Sequence, residues 1–303
     1  MPNIWTHILF SQDVMKQLNQ EISDQKLKNY LHLGAQGPDP FFYHNFWPWQ
    51  KDQRINDLAL MIHQKKCGPL LLDMIKLTND NENVRTYVTG FLTHHILDRV
   101  AHPYIHYKSG YETHNHQKLE TMIDTIMVEK YRSFKTWITP VATEIDVGKK
   151  LDSELSNMME TLIQNHFGKD VDIDDGFFQK SYQDMKKVLK IVYDPKGWKT
   201  KRLSSLIPPI SHRPIEDDVD YLNENRKTWY HSATNEPSNK SFIDLYDDAI
   251  EEAKKLLEVV FVYWKTKSEE DLSLVEQTLG NVSYDTGRPL DEAVENRYAD
   301  PIV

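Results

Sequence analysis

Between Phe91 and Glu120 the chain reads FLTHHILDRVAHPYIHYKSGYETHNHQKLE, and six of its thirteen histidines fall from His94 to His116. An even spread would put about one there. Two of the six precede a carboxylate by four residues: His94 with Asp98, and His116 with Glu120. That spacing sets both side chains on one side of a helix, near enough to share a cation. Imidazole nitrogen with carboxylate oxygen is the ligand set of catalytic zinc and related hydrolytic metals. The chemistry read first is metal binding, and with it the activation of water.

A lone His-x-x-x-Asp pair is ordinarily a surface stripe or a core histidine bonded to its acid. The second pair, downstream of His102, reverses that reading. His102 keeps the four-residue step from Asp98, and Pro103 disfavours helical geometry at His102. The sequence therefore places His102 at a helix end, turned toward a second ion. Glu120 lies on the apolar side of its helix, where a buried carboxylate needs a partner. His95, His106 and His114 fit the spacing less well and read as supporting or solvated. Upstream, His7 follows Trp5-Thr6, Asp39 lies in a Gly-Pro-Asp-Pro loop, and His63 sits on the apolar side of another helical segment. Alone, each is more ordinarily structural; the cluster makes them candidates.

The elements that must position these groups are helices. Apolar residues recur at three- and four-residue spacing in Asp13–Leu31, Gln53–Lys65, Val84–Ala101, Gln117–Thr136, Leu151–His166, Phe177–Val192 and Phe242–Lys265. Strand-like alternation is scarce, so the fold class is all-α. Gly34–Trp49, rich in Gly, Pro and aromatics, reads as an ordered loop. Asp194–Asp220, with Pro195, Pro208, Pro209 and Pro214, reads as a connector. Residues 1–280 are expected to form a single helical domain, with the metal-ligand half in 1–135 and a second helical half in 150–280. Residues 281–303 read as a C-terminal tail closing on the surface.

Composition narrows the setting. A content of 39% hydrophobic and 27% charged residues is that of a soluble globular protein. The formal net charge of −10 disfavours a nucleic-acid partner, although bound cations would offset it locally. The single cysteine, Cys67, excludes an internal disulfide framework. The start, MPNIWTHILF, has neither the basic nor the long apolar stretch of a secretory signal. No run approaches the roughly 20 apolar residues of a membrane span. The expected location is cytoplasmic.

In chain order the motifs are Trp and His near the N-terminus, Gly-Pro-Asp in a loop, a helical His, His-x-x-x-Asp, His beside Pro, and His-x-x-x-Glu. This combination resembles the zinc-dependent phospholipase C family, related to the S1/P1-type nucleases, over about residues 1–130. The resemblance implies a multi-helix bundle of the zinc-dependent phospholipase C and P1 nuclease type. It also implies two or three Zn2+ ions, with Mn or Fe as alternatives. His63, His94 and Asp98 would hold one ion, and His102, His116 and Glu120 a second. His7 with a bridging Asp98 would hold a third, and Asp39 would act as general base. Secreted members ligate metal through an N-terminal Trp, whereas Trp5 is internal. The nuclease and bacterial-toxin branches carry Gln-Pro-x-His after the central Asp, whereas this chain has Ala101-His102-Pro103-Tyr104-Ile105-His106; His102 is taken over His106 because it keeps the helical step.

The implied activity is metal-dependent hydrolysis of a phospholipid or other phosphodiester. Phe41, Phe42, Tyr43 and Trp47 read more often as loop core than as an apolar wall or cation–π surface for a choline-type headgroup. An S1/P1-like nuclease or a soluble phosphodiesterase is the nearest alternative. A metal-stabilised scaffold without catalysis is the alternative of another class, and it would fill every coordination position.

Overall fold

The computed structural model describes residues 3–47, 49–112, 114–196 and 211–303. Most of the Asp194–Asp220 connector lies outside them. Ten α-helices are present among the described residues: α1 (Ile4–Gln17), α2 (Gln25–Gly34), α3 (Arg54–Gln64), α4 (Cys67–Leu77), α5 (Glu82–Ser109), α6 (Asn115–Arg132), α7 (Ser153–Phe167), α8 (Phe177–Val192), α9 (Phe242–Thr266) and α10 (Glu269–Leu279). The only paired strands described are two residues each, with Trp229 opposite Ser238. The fold is an all-α, multi-helix arrangement.

Local signals set the helix starts. Asn3, Asp24, Asn81, Asp152 and Ser268 each accept a backbone N–H at the head of a helix, and Ser241 with Asp244 forms a reciprocal capping box at α9. The apolar stripe read as one helix over Asp13–Leu31 is two. Asn19 takes a left-handed conformation (φ 53°) after α1, and Asp24 caps a new helix. Apolar spacing carries across this break, which hides it.

The central element is α5, packed against α1, α2, α6 and α9. It does not end near Ala101 as Pro103 led us to expect; it runs on to Ser109 with Pro103 inside. An interior proline costs about 3 kcal/mol. Tyr104 and Ile105 beyond it are fully buried, and burying such side chains contributes about 1.5–3 kcal/mol each. Tertiary packing therefore outweighs the break. Tyr104 also stands edge-on to Trp229 and donates to the Tyr221 carbonyl at 2.7 Å.

The α2–α5 crossing is backbone on backbone. A Cβ on Gly34 would lie 2.0 Å from the Tyr87 carbonyl oxygen, and one on Gly90 would lie 2.2 Å from that of Leu31. Two glycines let the helices touch, which lowers the loop after α2 directly onto the histidine-bearing part of α5. One apolar core joins α1 to α9. The segment after α10 is not confined to the surface: Tyr284 is completely buried. Its ring is apolar enough to fill the space beside His63, His94 and His95. Among the described residues no helix is long and apolar enough to cross a membrane.

Candidate metal centre

Because α5 continues, His94, Asp98, His102 and His106 form a ladder at four-residue steps along one helix. Other elements bring groups to it. His7 comes from α1, and Asp39 from the 3-10 turn Asp39–Tyr43. His63 comes from the last turn of α3, and His116 and Glu120 from the first turns of α6.

At the upper rungs, Asp98 Oδ1 is 3.3 Å from His7 Nε2, while its Oδ2 is 3.0 Å from His94 Nε2 and 3.8 Å from His63 Nε2. Asp39 Oδ1 faces His63 Nε2 at 3.7 Å and His94 Nε2 at 3.9 Å. The His7 and His94 rings stack with centroids 4.2 Å apart. At the lower rungs, Glu120 Oε1 is 2.7 Å from His116 Nε2 and 3.9 Å from His102 Nε2. His7, His94 and Asp98 offer ligand atoms within 4.8 Å of one another, as do Asp39, His63 and His94, and His102, His116 and Glu120. All eight residues singled out from the sequence thus lie in these three adjoining groups.

The imidazoles are oriented alike. His63 Nδ1 pairs with the Ala59 carbonyl at 2.7 Å, His94 Nδ1 with that of Ala35 at 3.0 Å, and His102 Nδ1 with that of Tyr284 at 2.8 Å. A carbonyl only accepts, so each ring carries its proton on Nδ1 and turns an unprotonated Nε2 inward. This is how ligating histidines are held. His94 Nε2, His102 Nε2, both Asp98 oxygens and Asp39 Oδ1 are buried without a hydrogen-bond partner. Each such atom costs about 1–3 kcal/mol unless something satisfies it. Divalent cations, one to each group, would satisfy them, so the residues present fit zinc.

Burial holds His94 down to about 4, with the neighbouring His7 adding to it, and burial lowers His63, His102 and His116 too. Neutral imidazole is the ligating form. Burial, then the charge of Asp98, pushes Asp39 well above the usual carboxylate range. Burial alone would raise Asp98 as well, but His94 and His102 pull it well below that range. The two neighbouring carboxyl groups are thereby driven in opposite directions, Asp98 toward the anion and Asp39 toward the neutral acid.

Residues 6–169, more than half of the chain, match the model of a family described as zinc dependent phospholipase C. The chain belongs to that family. No curated protein and no solved structure matches it. As a zinc dependent phospholipase C family member it has a donor set compatible with metal binding, and one departure is structural. Trp5 offers no backbone nitrogen to a metal: its N–H donates to Asp124 Oδ2 at 3.0 Å, and its indole packs edge-on against Phe134.

The aromatics weighed as loop core or headgroup wall divide. Phe41 is fully buried against Phe177 and Phe178, hence loop core. Phe42 lies against the His63 ring with centroids 5.7 Å apart. Tyr43 lines a pocket with Trp5, Trp137 and Tyr193, and Trp47 stacks on Trp49. His114 is exposed, and His95 is buried against the Val282 carbonyl at 3.0 Å.

The residue missed is Asp285, whose Oδ1 lies 3.9 Å from both His102 Nδ1 and His106 Nε2. No spacing in the sequence announced it, because its partners are 179 and more residues away. The only local hint was a short polar turn, Ser283 to Gly287, following a glycine-ended helix.

Proposed function

We propose that the chain hydrolyses phosphodiesters, phospholipids among them, at a centre of two or three zinc ions held by His7, His63, His94, Asp98, His102, His116 and Glu120. The observation that carries this reading is the common orientation of His63, His94 and His102, each tied through Nδ1 to a backbone carbonyl with Nε2 toward a buried carboxylate. Zinc, when bound, supplies Lewis acidity, neutralising phosphate charge and making water a stronger acid.

The rest belongs to the chain's own residues. Asp98 stands between His7 and His94, where its histidine neighbours favour the anion. Asp39, facing His63 and His94 beside the ligand set, is the group placed to accept a proton from the attacking water. Its position, facing His63 and His94 at under 4 Å, keeps it at the edge of the ligand set. Phe42 packs its ring against that of His63.

The test is to strip the purified protein with chelator, reload it with zinc, and assay phosphatidylcholine, a soluble chromogenic phosphodiester and single-stranded DNA in parallel. Hydrolysis restored by zinc is expected, with DNA the poorest substrate because of the acidic chain. Zinc that binds fully and restores no hydrolysis of any of the three would overturn the catalytic reading and favour a metal-stabilised scaffold.

A further inference from the structure

Asp285 lies far outside the residues that match the family, yet it faces the centre. Its Oδ2 accepts from Gln64 Nε2 at 2.8 Å, which fixes the carboxylate and aims Oδ1 at the ladder. Oδ1 is then 3.9 Å from His102 Nδ1 and 3.9 Å from His106 Nε2. That is too long for a hydrogen bond. It matches the way Asp39 Oδ1 faces His63 and His94 at 3.7 and 3.9 Å. His106 Nε2 is buried with no hydrogen-bond partner, and the three ligand atoms lie within 4.8 Å of one another.

We propose that His106 and Asp285, beside His102, form a further divalent-cation position on the outer side of the His102 ring. It rests on the reading of the centre given above and adds a ligand pair to it. His102 separates the two positions, with Nε2 toward Glu120 and Nδ1 toward Asp285. Its Nδ1 proton is donated to the Tyr284 carbonyl at 2.8 Å. An outer ion therefore has two firm protein ligands, a carboxylate and one imidazole, with water completing its shell. His102 joins only if its proton moves from Nδ1 to Nε2, which an ion on the inner side forbids. Two ligands against three or more make the outer position the weaker one, filled after the inner ones and open to exchange near the rim, where His106 and Asp285 are 16% and 19% exposed.

Equilibrium dialysis against rising free zinc, with elemental analysis of the protein, tests this on the full chain and on Asp285→Asn, His106→Gln and Glu120→Gln. Wild type should take up its tight ions and then one more, at least 100-fold more weakly. Asp285→Asn and His106→Gln should lose that last ion and keep the tight ones, while Glu120→Gln should lose a tight ion. A weak ion that survives in both outer variants, or is never taken up by fully loaded wild type, overturns the proposal. So does loss of a tight ion from the outer variants, since Asp285 would then only support His102. Wild type with no tight ion but a weak one sensitive to Asp285→Asn would keep this position and sink the centre. Circular dichroism melts of each variant show that the comparison is between folded proteins.

Discussion

Gly37 holds a backbone conformation with φ of 52°, and a Cβ placed there would sit 2.2, 2.5 and 2.7 Å from Cδ2, Cγ and Nε2 of His94. Ordinary carbon contacts lie at about 3.5–4.0 Å, so in Gly37→Ala the ring must retreat by roughly 1 Å. The ring is fully buried, and its Nδ1 is bound to Ala35, two residues before the substitution. Loop and ring are therefore coupled, and moving one strains the other. Metal–ligand distances tolerate only about 0.2 Å, so His94 falls out of reach of its ion. Losing a supporting partner of a ligand costs about 10–100-fold in metal affinity, and losing the ligand costs at least that. Gly176→Ala is the matched control. Its φ is 74°, yet nothing lies within 4 Å of the added Cβ, so it carries backbone strain alone, about 1 kcal/mol. Zinc affinity is read by competition with a chromophoric chelator, and stability by thermal melts of metal-free protein. We expect Gly176→Ala to melt slightly lower with wild-type zinc affinity. Gly37→Ala should melt lower still and bind zinc at least 10-fold more weakly. Were the two variants indistinguishable in both assays, the packing of the loop on His94 would not control the metal.

Three further outcomes are expected. Asp39→Asn should lower hydrolysis by about 10^2–10^4-fold with the zinc count unchanged; a lost ion would make Asp39 a ligand instead. In metal-free protein, burial holds His94 at about 4, whereas in the unfolded chain a histidine titrates near 6.5. Between those values the unfolded chain takes a proton that the folded one refuses, so stability falls as pH drops from about 6.5 to about 4, by up to about 3 kcal/mol. Urea melts should show this slope flattened in His94→Gln, and an undiminished slope would refute the assignment. Asp124 is fully buried and accepts from the Trp5 and Thr6 amides, the Thr6 hydroxyl and His212. Asp124→Ala strands these donors at the head of α1, and urea melts should show about 3 kcal/mol lost; a loss below about 1 kcal/mol would mean that water replaces the carboxylate.

What the sequence disclosed depended on periodicity. The pairs His94–Asp98 and His116–Glu120 were visible because one helix step puts ligand beside ligand, and the long stripes of α8 and α9 were equally plain. Helices with no clean stripe escaped. In α10 only Val275 and Leu279 are buried, while α4 has Leu70, Leu71, Met74 and Ile75 buried around much of its girth. The extension of α5 past Pro103 was hidden because local preference says stop and distant residues, Trp229 and Phe242, pack against Tyr104 and hold it. The carbonyls that orient the histidines were out of reach too. Ala35, Ala59 and Tyr284 act through their backbones, so their side chains carry no trace of the role.

The bond from His102 to the Tyr284 carbonyl closes a loop of 182 residues, and that has a consequence for the order of assembly. Closing such a loop costs about 5 kcal/mol of chain entropy, recovered only when Tyr284 is buried and His102 is seated. At about 5–20 residues per second of synthesis, the carbonyl emerges about 10–40 s after the histidine it orients. Throughout that interval the nascent chain carries its imidazole ladder without the support that settles the His102 proton. Metal met early meets His102, His116 and Glu120 before the carbonyl that orients the His102 ring has been made. The orientation of His102 is therefore a late event in the life of the molecule, timed by the synthesis of a segment that the histidine motifs give no reason to notice.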